Sequence, residues 1–163
     1  MNIFILDHDI RKCARYHADQ HVVKMILEGT QMLCTVLNKN GVITPYKSTH
    51  LNHPCTLWVA HSLSNWIWLR KLTLQLNGEF LFRYQRVVDH QSAIVARELM
   101  PPPIADIGLT EFVQAMPDAY KVPGSPVEAY RRFYVGEKRH FVKWSRRRPP
   151  KWFIEGVKAQ ERE

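Results

Sequence analysis

Between His17 and Leu37 the apolar residues Val22, Met25, Ile26, Met32, Leu33, Val36 and Leu37 recur at helical spacing, while His17, His21, Lys24, Glu28 and Gln31 follow one another at steps of four, three, four and three. Side chains at those steps share one face of an α-helix. The stretch therefore predicts a largely buried helix crossed by one polar seam. A solvated face favours repeated Glu and Lys. This seam instead offers two imidazoles, an ammonium, a carboxylate and an amide, groups that hold anions and move protons. The alternative is a seam that faces water with incidental histidines.

At 163 residues the chain is long enough to bury a core as a single domain, 1–163, and its apolar share of 45% is that of a globular protein. No leader-like segment and no run of bilayer-crossing length is visible, so a membrane is not expected as a partner. Cys13, Cys34 and Cys55 are odd in number and lack CxxC spacing, which predicts free thiols in a reducing, intracellular compartment.

The net charge of +8 points to a polyanionic partner. Nine basic residues, Arg131, Arg132, Lys138, Arg139, Lys143, Arg146, Arg147, Arg148 and Lys151, stand against the single acid Glu137 and equal the whole excess. Tyr130, Phe133, Tyr134, Phe141, Trp144 and Trp152 interleave with them. Aromatic rings beside Arg and Lys can stack on exposed bases while the cations meet phosphates. The other reading is a solubilising surface.

In chain order, Met1 to Leu6 is a short apolar run, strand or packed arm. Asp7 or Asp9 caps a helical turn over Ile10 to Tyr16, and a helix follows to Leu37, either continuous with it or restarting at Asp19. Asn38 to Gly41 is a stop signal. The connection Val42 to Pro54 carries Tyr46, Lys47, His50, Asn52 and His53, with Asn52 and His53 able to cap the next helix. Apolar periodicity from Cys55 to about Val88 predicts one long core helix or two, and Asp89 to Met100 another, ended by the prolines at 101–103. Pro101 to Pro126 reads as an ordered excursion with a helical turn near 110–116. Ser125, Pro126 and Glu128 form a capping-box signal for a basic helix to about Trp144. A stiff cationic tail, Arg146 to Trp152, and frayed residues 155–163 complete the chain. The fold class expected is a mostly α, single-domain helical bundle.

His17, His21, His50 and His53 could together ligate zinc or another divalent metal, although HExxH is absent because Ala18 follows His17. Serine elbows, Walker loops and dinucleotide fingerprints are also missing. The other chemistry open to the seam is acid and base work on an anionic substrate. Glu28 is then the carboxylate and Lys24 sets its charge state.

Ala18, Asp19, Gln20 and His21, followed seven residues after His21 by Glu28, resemble a stretch of the pyrimidine-dimer DNA glycosylases of the endonuclease V-like family. A related bacterial pattern, DDRRLGKQRVE with NHP and a tryptophan later, is similar to Asp19, Lys24 and Glu28 followed by Asn52, His53, Pro54 and Trp58. The tail RRPPKWF looks like the RPTWY end of the phage enzyme. The resemblance implies a small, helical, cofactor-free cytoplasmic enzyme of a bacterium or phage-infected cell. It implies DNA as partner, with no obligate protein partner inferred, and extrusion of a pyrimidine nucleotide. In that family an N-terminal amine attacks C1′ of the sugar and forms a Schiff base, assisted by the glutamate that Glu28 matches.

The chain departs from the family at its start. Asn2 stands where a small residue would allow Met1 to be removed, and Met1 lies further from Glu28 in sequence than the family's nucleophile does from its glutamate. Lys24 is the substitute nucleophile or a phosphate ligand. The catalytic group expected is therefore Glu28, Lys24, His21 and His53. His17, Asp19, Gln31, Tyr46, Lys47, His50, Asn52, Arg139, Lys143, Arg146, Arg147, Arg148, Lys151 and Trp152 are expected on DNA. Three alternatives remain: a transferase modifying a hydroxymethylated pyrimidine in phage-like DNA, a binding module without catalysis, and a His-ligated metal hydrolase.

Overall fold

Asp9 rather than Asp7 starts the first helix: its carboxylate accepts from the Lys12 amide, and α1 runs Ile10–Tyr16. In the computed structural model, which describes residues 1–163, there follow α2 (Asp19–Lys39), α3 (Pro54–His61), α4 (Leu63–Arg83), α5 (Gln91–Glu98), α6 (Pro126–Phe133) and α7 (Lys151–Glu161). A 3-10 turn at Asp118–Tyr120 and a π-helical turn at Tyr134–Lys138 complete the regular structure, and there is no strand. The chain is an all-α single domain around one hydrophobic cluster. No helix is long and apolar enough to cross a membrane.

α2 and α4, each of 21 residues, form the central pair. The helical segments around Asp19 are separate, because His17 and Ala18 are extended. Asn40 and Gly41 end α2, with Gly41 at φ +80°, a left-handed conformation that glycine adopts without a Cβ penalty. Trp58, Trp66 and Trp68 are core residues, and the Trp66 indole donates to the Leu33 carbonyl at 3.2 Å.

The long apolar run from Cys55 is two helices, broken at Ser62, whose hydroxyl donates to Asp106 while the Leu63 amide donates to Ala105 O. The excursion 101–126 is ordered, as expected, but its helical turn lies at Asp118–Tyr120 and not at 110–116. Residues 110–115 instead form a strap without regular structure whose backbone groups are taken by side chains. Asn65 accepts from Thr110 N, Trp58 donates to Glu111 O, and Asn2 donates to Ala115 O. Such side-chain bonds compete with helix formation.

The basic helix is shorter than its capping signal suggests. Ser125 makes no side-chain cap, and Glu128 pairs with Arg132 at 2.6 Å instead of reaching back. α6 ends at Phe133 and widens into the π turn, where the Tyr120 ring occupies the space a Gly136 Cβ would need and its hydroxyl donates to Glu137. Pro149 and Pro150 do not begin a tail. They lead into α7, Lys151–Glu161, so residues 155–161 are helical where fraying is expected.

Candidate active site

His21 and Glu28 of the α2 seam are covered by the chain start, while Lys24 between them is exposed. Ile3, Phe4, Ile5 and Leu6 are buried, and this N-terminal arm runs antiparallel to α2 along the seam. Phe4 stacks on His21 with ring centroids 4.3 Å apart and meets His17 edge-on at 6.0 Å. Three residues onward toward the chain start, the α-amino group of Met1 reaches Oε1 of Glu28 at 3.2 Å. Three extended residues span about 10 Å, and the seven helical residues from His21 to Glu28 rise about 10.5 Å. The two registers match, which removes the objection that Met1 is too distant in sequence from Glu28.

The Met1 side chain is 2% exposed and that of Glu28 is 12%, while Met1 as a whole is half-buried, its exposure lying on backbone atoms. Glu28 Oε2 is buried without a hydrogen-bond partner. One carboxylate oxygen thus holds the amine and the other is an unused acceptor. Around them lie Asn2, His53 and Cys55. The His53 Nδ1 accepts from the Cys55 amide at 3.0 Å as the cap of α3, so the ring, when neutral, carries its proton on Nε2 as a donor. Burial holds the His53 imidazole below its ordinary value, and the positive charges of the Met1 amine and His50 add to that. Burial pushes the Cys55 thiol up to about 12, so it stays protonated near neutral pH. His50 stands next to His53, its ring edge-on at 6.4 Å, in a left-handed conformation at φ +50° held by a bond between His50 Nδ1 and Thr49 Oγ1.

His17 and His21 are core residues and not a substrate wall. His17 is fully buried, with Nδ1 donating to Cys13 O at 2.7 Å and Nε2 enclosed without a partner. His21 Nδ1 meets the Tyr134 hydroxyl at 2.6 Å, between Phe4 and Phe141. Burial lowers His17 to about 4 and His21 to about 3. The unfolded chain takes up these protons near the ordinary imidazole value of 6.5, whereas the folded chain does not until well below it. Stability is therefore complete above pH 6.5 and falls as pH drops toward 4, each neutral histidine costing about 1.4 kcal/mol per pH unit. We expect denaturant unfolding to lose about 4 kcal/mol between pH 7 and pH 5. A flat profile over that range would show that the imidazoles are protonated in the fold.

Asp19 is likewise structural. Its carboxylate accepts from Ser145 N at 2.9 Å and from the Ser145 hydroxyl, and pairs with Arg83 at 3.2 Å. Arg147 is held by Glu79 through Nε at 3.1 Å and Nη2 at 2.9 Å. Trp152 is half-buried against Tyr16, Tyr134 and Phe153 with Arg131 over its ring, so its faces are used internally. Of the remaining cations, Lys24, Lys47, Arg139, Lys143, Arg146 and Arg148 are exposed and pair with no acid. Arg146 lies over Phe82 at 4.6 Å, Arg139 donates to Gln160, and Lys151 faces Glu155 at 3.7 Å. In the connection before α3, the Tyr46 hydroxyl is bonded to Ser92 at 2.8 Å, and Asn52 is exposed. Gln31 is half-buried on the seam beyond Glu28.

Two expectations are corrected. Lys24 is exposed, and the ion-pair partner of Glu28 is the Met1 amine and not Lys24. Nor do His17, His21, His50 and His53 gather as a metal site, because no three or more His, Cys, Asp or Glu side chains are placed to hold one ion. Asn2, Tyr130, Arg83 and Tyr134 carry much of the arrangement, and nothing in the local sequence announces the bonds they make; the apolar arm MNIFIL alone points to a chain start that is built in. No family model, curated protein or solved structure matches the chain.

Proposed function

We propose that the chain is a DNA-acting enzyme that extrudes a pyrimidine nucleotide and attacks its sugar with the Met1 α-amine, in the manner of a glycosylase with lyase activity. The observation that carries this reading is the ion pair of Met1 amine and Glu28 carboxylate at 3.2 Å, with Glu28 Oε2 buried and unpartnered beside it. A free α-amine is a nucleophile once it has lost its proton, and α-amino groups as a class do so near pH 8, about two units below lysines. The carboxylate beside it can take that proton and return it.

The amine nitrogen bonds to C1′ as the C1′–N bond to the base breaks, and the base leaves with that electron pair and takes up a proton. The amine gives its own proton to Glu28. Ring opening converts the adduct to an imine at C1′. Loss of a C2′ proton then breaks the C3′–O bond and cuts the strand. His53, as an Nε2–H donor beside the pair, orients the substrate. The exposed Lys24, Lys47, Arg139, Lys143, Arg146 and Arg148 supply phosphate contacts, which position DNA without reading its sequence.

The test is borohydride reduction during incubation with duplexes bearing an abasic site, a thymine dimer or hydroxymethyluracil. Borohydride fixes an imine as a stable amine. The expected result is a covalent adduct on at least one duplex, mapped by peptide mass to Met1. Glu28→Gln should slow base release by about a hundredfold or more. No adduct on any duplex, or an adduct mapped to Lys24, would overturn the reading.

A further inference from the structure

The residue after the amine is tied down more heavily than any other in the arm. Asn2 Oδ1 accepts from the Ile3 amide at 2.8 Å, from the Tyr130 hydroxyl at 2.8 Å and from the Cys55 thiol at 3.7 Å, while its Nδ2 donates to Ala115 O at 2.9 Å. Those partners sit on α6, on α3 and on the 110–115 strap. Tyr130 and Cys55 are fully buried, and the Tyr130 hydroxyl in turn accepts from Ala115 N at 3.2 Å. A single side-chain amide thus joins three walls of the site one residue from the amine.

A small second residue makes no such bonds. It also permits removal of the initiator methionine, which would leave the new amine one residue, about 3.5 Å of extended chain, further along the arm. The side chain that blocks removal is the one that fixes the arm. Met1 adds its own hold, since its side chain is 2% exposed and packs against the core. Resting on the reading of Met1 as nucleophile, we propose that Asn2 is the positioning residue of the active amine: it retains Met1 and holds the α-amino group in register with Glu28.

The measurement compares Asn2→Leu, which is close in size, keeps Met1 and removes all four bonds, with Tyr130→Phe, which removes one donor and keeps the ring. Intact mass confirms Met1 in each. The first readout needs no DNA: reductive methylation of the α-amine by formaldehyde and borohydride, located by peptide mass. The second is the rate of borohydride trapping at saturating duplex, alongside duplex affinity. Asn2→Leu should methylate at Met1 at least tenfold faster, trap at least tenfold more slowly and bind duplex unchanged; Tyr130→Phe should move the same way by about threefold. A fold-only role would instead lower affinity and rate together, with melting temperature.

Wild-type methylation and trapping rates in Asn2→Leu would overturn the positioning role while leaving a wild-type adduct at Met1, and with it the proposed chemistry, standing. Absence of any wild-type adduct would overturn the chemistry and the positioning role together. Loss of fold in Asn2→Leu leaves Tyr130→Phe to decide, wild-type values there counting against the proposal.

Discussion

A protein whose α-amine is blocked should lose adduct formation and base release by at least about a thousandfold, because a nucleophile removed from a covalent mechanism has no partial substitute. The cleanest block is a short Gly-Ser extension ahead of Met1. The extension turns the amine into an amide, which neither attacks C1′ nor pairs with Glu28, and it must leave a site where the Met1 side chain is 2% exposed. A second block keeps the chain length: dimethylation gives a tertiary amine, which has no N–H left to lose on the way to a neutral imine. Borohydride trapping and strand cleavage on an abasic duplex read both. Duplex affinity should survive, since the exposed cations lie on other elements. Lys24→Ala supplies the opposite pattern, weaker salt-dependent binding with the adduct still mapped to Met1. Extended protein that forms adducts at the native rate would remove Met1 from the mechanism.

The seam of α2 shows what a sequence can and cannot carry. Its spacing fixes which residues share a face, and from Asp19 on the helix is where the period puts it, but His17 falls outside α2 in extended backbone. What covers that face is a long-range matter. The arm Met1 to Leu6 pairs with α2 through burial and ring stacking, with no turn between them to announce it. The same five polar positions therefore split four ways: His17 and His21 under Phe4, Glu28 against the amine, Lys24 in solvent, and Gln31 half-buried beyond Glu28. Glu28 was legible because a carboxylate two turns from His21 is unusual on a buried face. Met1 was discounted on sequence separation, which counts residues and not distance. His53 was legible as a helix cap, and the cap bond is what fixes its tautomer. The tail misled for a related reason. Two prolines after three arginines look like a stiff end, yet proline is also the residue that precedes a helix well, and only packing of Trp152 on Tyr16 and Tyr134 chooses between them.

Asp19→Ala should destabilise the fold by about 3–5 kcal/mol, the largest effect expected of any single substitution outside the active site. Arg83 and Asp19 have side chains 0% and 3% exposed, and Glu79 is at 7%. With Arg147 they form two cations and two anions in one buried group, whose members come from α2, α4 and the segment before α7. Arg83 also donates to the carbonyls of Arg15 and His17, closing the break between α1 and α2. Removing Asp19 leaves the Ser145 amide and hydroxyl unpaired and the group one charge positive, in surroundings where an uncompensated charge is costly. Removing Arg83 alone leaves it one charge negative and should cost a similar amount. Removing both restores neutrality, so Asp19→Ala with Arg83→Met should be less destabilised than the sum of the single variants by about 1–3 kcal/mol. Urea unfolding of the three variants at pH 7 measures this coupling. Additive effects below about 1 kcal/mol each would place the group in solvent-screened surroundings. The same set separates fold from function. If Asp19 touched DNA, as its place in the glycosylase-like string suggests, Asp19→Asn would weaken binding directly. An inward-facing Asp19 predicts binding that falls only as far as the folded fraction does.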